Sequence, residues 1–215
     1  MGFLAAIARV NAAHPWSHND AYAGFVLRHA RAVRRRGGDI AADVGCGTGN
    51  LLSALSEILP TAIGIEPDPD AAAAAARRFP GEAVRIENRT FGSEPLGAYD
   101  LITFVASLHH MPLRAALQDA RTALRPGGRL VIVGVARETS KDALRSGASL
   151  LLNPLVGLVR HPKRATRPPE HMQAPIAHPD QSFDEIRTIA SEVLPGIRMR
   201  RRLFWRYTAS WQAPH

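Results

Sequence analysis

The chain has 215 residues, of which 46% are hydrophobic and 21% charged; this suits one ordinary α/β domain with a substantial core and excludes a disordered polymer. The net charge of +8 is carried by arginine, since Lys141 and Lys163 are the only lysines. Such a balance is compatible with a phosphate-bearing partner, but no aromatic-interleaved basic motif accompanies it, so nucleic acid is a secondary reading.

In chain order, the opening MGFLAAIARV is too short and too poorly flanked for a signal peptide and predicts a helical lead, followed by an irregular stretch over residues 11–19. Residues 20–36 predict a helix stopped by Gly37-Gly38. Residues 39–44 form a short apolar run into a glycine-rich turn, the pattern of a buried parallel strand, and residues 50–59 resume helical spacing. Residues 61–65 predict a strand. Asp68-Pro69 then opens an alanine-rich helix to Phe79, with Asp68 as cap and Pro69 at the first helical position. Strands follow at 83–86 and 99–105, a helix at 113–124 closed by Pro126-Gly127-Gly128, and a strand at 129–135. This alternation predicts a doubly wound, Rossmann-like parallel sheet.

After Val135 the rhythm changes. Residues 142–160 are apolar and helical in character, with a break expected at Asn153-Pro154, and the proline-rich, basic residues 160–181 read as a loop. The charge-free apolar stretch 146–159 has 14 residues, against about 20 for a membrane span. Ser182 and Glu185 form a capping-box pattern opening a helix, and strand-like segments at 197–203 and 204–211 close the chain. The chain therefore reads as a single domain, with residues 1–38 as an N-terminal helical lead and residues 142–181 as a cover over a substrate. A cytoplasmic location is the default. The lone Cys46 excludes an intrachain disulfide, and no metal-ligand spacing stands out.

The chemistry concentrates in residues 43–50, DVGCGTGN, at the end of the first strand. Gly45, Gly47 and Gly49 let the backbone turn tightly and approach a ligand with no Cβ in the way. The dinucleotide fingerprint would need glycine where Asn50 stands, and no P-loop lysine is present. Glu66, 21 residues beyond Gly45, ends the next strand, where a carboxylate can accept hydrogen bonds from ribose hydroxyls.

These residues resemble the class I S-adenosylmethionine-dependent methyltransferases: DVGCGTGN their first motif, GIEPD (64–68) their second, YDLITFV (99–105) with ASLHHM (106–111) their fourth strand, and LRPGGRLVIVG (124–134) their fifth. The resemblance implies a seven-stranded sheet, mostly parallel with a C-terminal antiparallel hairpin, and S-adenosylmethionine as cofactor. It places Asp43, Gly45, Cys46, Gly47, Thr48, Gly49 and Asn50 along the methionine and adenosine, Glu66 on the ribose and Pro67 beside the adenine. Thr90 and Phe91 fall at the adenine pocket, and Val105 and Ala106 beside the sulfonium. Trp16, His18 and Tyr22 lie in a segment that relatives fold across the cofactor. His109 and His110 are the candidate catalytic residues, with His109 favoured to face the methyl if the segment is extended. In-line methyl transfer demands a base only where the acceptor must lose a proton, so pocket shaping is the alternative role. The expected acceptor is a small, fairly apolar metabolite. RNA, a lipid or quinone at a membrane surface, and binding without catalysis are the competing readings.

Overall fold

The computed structural model describes residues 2–93, 97–160, 162–163 and 179–215. Seven strands form one sheet: β1 (Ile40–Val44), β2 (Thr61–Ile65), β3 (Val84–Glu87), β4 (Tyr99–Val105), β5 (Leu124–Gly134), β6 (Arg198–Arg201) and β7 (Tyr207–Gln212). Their order is β3-β2-β1-β4-β5-β7-β6. The first five run parallel, and β7 lies antiparallel between β5 and β6. The central strands are apolar runs because both faces are covered: Leu101, Ile102 and Phe104 of β4 are fully buried.

Helices α2 (Ala23–Arg34) and α3 (Asn50–Ser56) cover one face, where Val26, Ala30, Leu52 and Leu55 pack with Ala41, Leu101 and Val133. On the other face α5 (Leu113–Ala123) and α7 (Phe183–Val193) pack Leu117, Ala120, Ile186 and Ala190 with Ile102, Phe104, Leu130 and Ile132. Between β2 and β3 runs α4 (Pro69–Arg78), where the Asp68 side chain accepts from Ala71 N–H at 2.8 Å with Pro69 at the first helical position. Ser182 and Glu185 form the capping box of α7. The N-terminal α1 (Phe3–Ala13) lies against α6 (Ala143–Arg160).

Several boundaries depart from the pattern of the sequence. The first helix extends through Ala13, where a break at 11 was expected, and the lead ends in a 3-10 turn, His18–Tyr22. The helix after the glycine turn stops at Ser56 rather than 59. Strand β5 begins at Leu124, because the Pro126-Gly127-Gly128 turn is absorbed as a register irregularity opposite Tyr99–Leu101. Helix α6 runs through Pro154 unbroken. Proline removes one helical donor, and here Asn153 beside it is anchored from outside: its backbone carbonyl and side-chain oxygen both accept from the Trp16 indole N–H, at 3.2 and 2.8 Å. Most of the loop expected at 160–181 lies outside the described residues.

Candidate active site

The glycine turn sits at the C-terminal end of β1, next to β4 where the strand order reverses, which is where doubly wound sheets take ligands. Gly45, Gly47 and Gly49 all have positive φ (69°, 54° and 84°), a conformation costly for any residue with a Cβ. Their surroundings differ. A Cβ on Gly45 would meet Ser107 Cβ at 2.4 Å and one on Gly49 would meet the Phe79 ring at 2.6 Å, whereas one on Gly47 would meet nothing within 4 Å. Gly45 and Gly49 thus serve packing, and Gly47 borders open space.

Glu66 is buried at the end of β2 and spends both carboxylate oxygens on backbone donors. Oε2 accepts from Gly47 N–H at 2.8 Å and Oε1 from Asp68 N–H at 3.0 Å. The residue that the spacing marked for a ribose is therefore also the brace of the glycine turn. Asn88, which the sequence pattern did not single out, donates to the carbonyls of Glu66 (2.8 Å) and Pro67 (3.1 Å) and fixes the loop after β2.

Other expected site residues face inward. Asp43 accepts from the Thr103 hydroxyl at 2.7 Å and is buried; burial raises its pKa to about 7, with the Thr103 hydrogen bond opposing and the Glu66 charge adding. It ties β1 to β4. Burial, then Asp43 and Glu66, push the Cys46 thiol far above its usual range, so it stays protonated and unreactive. The Asn50 side chain is occupied by Arg78 (2.7 Å), which also reaches the Thr48 carbonyl (3.5 Å). Phe91 fills the core edge-to-face against Phe104, leaving Thr90 as the more open member of that pair.

At the tip of β4, Val105 is followed by Ala106 with φ of 55°, and by Ser107, whose hydroxyl donates to the Val44 carbonyl. This strained junction holds the tips of β1 and β4 together. Residues 108–110 then form a 3-10 turn rather than an extended segment, so the two histidines do not alternate sides; their ring centroids lie 4.0 Å apart. His109 is half-buried with an unpartnered Nδ1, and its pKa falls to about 4 through burial, then His110 and Arg206. His109 borders a cavity of about 170 Å³ with Leu108, Met111, Val135, Ile186 and Tyr207.

Trp16 and His18 converge on α6 through Asn153, whose side-chain oxygen accepts from Trp16 Nε1 and from His18 Nε2 at 2.9 Å. Both rings also pack on Phe204, and the Tyr22 hydroxyl donates to the Leu203 carbonyl. The half-buried Arg206 donates to Asn19 at 2.9 Å, forms no ion pair among the described residues, and has its pKa lowered to about 10 by burial. The aromatic segment thus fastens α6 and the β6–β7 turn over this end of the sheet.

A glycine turn closing a parallel strand, an acid ending the next and an antiparallel β7 inserted between β5 and the edge strand β6 define the Rossmann-like, S-adenosylmethionine-dependent class of transferase. The family model for the methyltransferase domain matches residues 20–183, and the chain belongs to that family. It is 29% identical over 210 residues to an uncharacterized methyltransferase of Mycobacterium tuberculosis, covering 93% of this chain and 98% of that one. Among solved structures, a possible exported protein from Bordetella parapertussis superposes with a TM-score of 0.61 at 21% identity, over 92% of this chain and 67% of that one. Magnesium protoporphyrin IX methyltransferase from Synechocystis, solved with bound S-adenosylmethionine, gives 0.54 at 14% identity, over 99% and 85%.

Proposed function

We propose that the chain methylates a small, fairly apolar metabolite by in-line transfer, with α6 covering the acceptor. The observation that carries this reading is the cavity beside His109. At about 170 Å³ it falls below the range typical of drug-sized ligands, and its aliphatic wall of Leu108, Val135 and Ile186 is joined by the polar His109, Asp180, Gln181 and Tyr207, which can orient an acceptor. The open space at Gly47 and the Glu66 carboxylate beside it fit the cofactor, which when bound supplies an electrophilic methyl on a sulfonium. Gly45 to Gly49 would line the methionine and adenosine, Glu66 and Pro67 the ribose and adenine, and Val105 and Ala106 the sulfur. The chain's own work is then alignment, which is worth much of the barrier in such displacements. The fastened cover of Trp16, His18 and Asn153 would exclude water from the reacting atoms.

His109 fits the role of pocket wall. A base must be unprotonated to act, and with a pKa near 4 the imidazole is neutral from pH 5 upward but also a weak proton acceptor. We expect His109→Asn to keep kcat within about 5-fold of the parent, with no ascending limb from this residue between pH 6 and 8. A fall of about 100-fold at unchanged acceptor KM would assign His109 the proton.

The test of the function is S-adenosylhomocysteine release against a panel of small hydroxylated and amino acceptors, with bulk RNA as a parallel arm. Turnover with a small acceptor supports the proposal. Turnover with RNA alone, or tight cofactor binding with no turnover anywhere, would replace it with the RNA-modifying or the non-catalytic reading.

A second reading, a lipid or quinone acceptor at a membrane surface, draws on α6. No helix among the described residues is long and apolar enough to cross a membrane. Yet α6 buries its small residues Ser149 and Gly157 and exposes Leu144, Leu151, Leu155, Leu158 and Val159, with Leu144 91% and Val159 80% accessible. No acidic residue lies between 143 and 169. Interfacial helices carry such a face. Under this reading the protein co-sediments with vesicles containing phosphatidylglycerol; recovery in the supernatant at low salt would remove it.

A further inference from the structure

We infer that an arginine-walled cavity at the opposite end of the sheet from the glycine turn binds a phosphate group. The cavity, of about 290 Å³, lies between α2 and the β5–β7–β6 edge and is lined by His29, Arg129, Arg198, Ser210, Trp211 and Gln212. Arg129 stands midway along β5, where it pairs with Gln212 at the end of β7, while the candidate active site lies beyond the C-terminal end of β5. Arg198 faces Ser210 across the β6–β7 ladder.

Its charge is uncompensated. Burial first, then the charges of Arg129 and Arg28 at His29 and of Arg36 and Arg35 at Arg129, disfavour the charged forms of both residues. Among the described residues no carboxylate comes within ion-pair distance of Arg28, Arg35, Arg36, Arg129 or Arg198; the only partner found for Arg36 is the neutral Gln212, at 3.1 Å. Other arginines such as Arg34, Arg89, Arg114, Arg125, Arg137, Arg187 and Arg201 do meet an acid, so the lack of one around this cavity leaves its charge locally unbalanced. Like charges gathered in a partly buried cleft repel strongly, and an anion seated among them removes that repulsion.

Arg198 is exposed and its guanidinium has no partner among the described residues, while Arg129 Nε is buried and unpartnered. Arg129 Nη1 lies 3.1 Å from His29 Nδ1, and since guanidinium can only donate, His29 must be the neutral tautomer with its proton on Nε2. Burial, then Arg129 and Arg28, hold the His29 pKa at about 4, so the imidazole accepts from arginine at every physiological pH. Guanidinium forks match phosphate oxygens two at a time, which favours phosphate over a spherical anion of equal charge. The cavity has room for a diphosphate or a nucleotide's phosphates as readily as for one link of a nucleic-acid backbone.

Titration calorimetry with inorganic pyrophosphate on the full chain tests this, at low ionic strength and with chloride as the control anion. We expect saturable binding with Kd below about 1 mM, weakened at least about 10-fold in Arg129→Gln and in Arg198→Gln. The exposed Arg198 keeps the test valid should the Arg129 variant fold poorly. In the same titration the NMR pKa of His29 should climb from about 4, because the bound anion offsets its cationic neighbours. A 20-nucleotide RNA that binds tighter than pyrophosphate, with affinity falling steeply in salt, would assign the phosphate to nucleic acid; pyrophosphate binding without such RNA binding assigns it to a small ligand. Absence of saturable heat with an unmoved His29, or retention of full affinity in both variants, overturns the site. Cofactor binding should be unaffected by Arg198→Gln, so failure here is separable from failure of the methyltransferase reading.

Discussion

Gly47→Val should cut S-adenosylmethionine affinity by at least about 100-fold, or ~2.7 kcal/mol, while leaving the far-ultraviolet circular dichroism of the parent intact. Three glycines crowd the turn, but only one can report on the cofactor cleanly. At Gly45 and Gly49 an added Cβ collides with Ser107 and Phe79, so substitution there damages the protein itself. At Gly47 the same Cβ enters space that no protein atom within 4 Å occupies. What remains is the backbone: φ of 54° costs a side chain roughly 1–2 kcal/mol, more for a β-branched one, and that strain falls on a half-buried turn rather than on the core. Gly47→Ala separates the two effects, sharing the backbone strain but filling less of the space, and should bind with intermediate affinity. Calorimetry showing the valine variant within about 3-fold of the parent would mean that this space is not where the cofactor lies.

Much of the sheet and the glycine turn was legible because both are written locally. Apolar runs of strand length followed by helical periods forced the parallel order, and Asp43-to-Asn50 carries its own conformation in three glycines. What escaped the sequence was set by partners far along the chain. The break expected at Asn153-Pro154 did not form; the Trp16 indole, 137 residues away, holds Asn153 in a continuous α6. Trp16 and His18 were identifiable as unusual residues, but their attachment to α6 and Phe204 is a tertiary fact. Nothing in the sequence pattern marked Thr103 and Ser107, which join β4 to β1, or Asn88, which holds the loop after β2. A strand pairing tells which residues adjoin but not which side chains bond. Phe91 carries a packing role that its position in the motif did not announce, since its ring lies buried edge-to-face against Phe104. The separation of two histidines onto opposite sides failed for a local reason, since the tip of β4 turns immediately into a 3-10 segment.

Glu66→Gln is the substitution that separates support of the turn from contact with the cofactor. The carboxylate receives Gly47 N–H on one oxygen and Asp68 N–H on the other. Glutamine offers one oxygen and one NH₂ group, so whichever way it flips, a donor confronts a backbone donor inside a buried site. Each orphaned buried N–H costs about 1–3 kcal/mol, part of it recovered if the turn relaxes. We therefore expect cofactor affinity to fall about 10- to 100-fold and the thermal midpoint to drop as well. Affinity alone cannot tell a displaced turn from a lost ribose contact, since both weaken binding. The decisive measurement pairs the variant with an S-adenosylmethionine analogue lacking one ribose hydroxyl. If Glu66 accepts from the ribose through its remaining lone pairs, the parent binds the full cofactor better than the analogue and the variant barely distinguishes them, because the interaction is already lost on the protein side. If Glu66 serves only the backbone, removal of the hydroxyl costs parent and variant the same factor. A coupling below about 0.3 kcal/mol would leave Glu66 as the brace of the glycine turn and move the ribose to another acceptor.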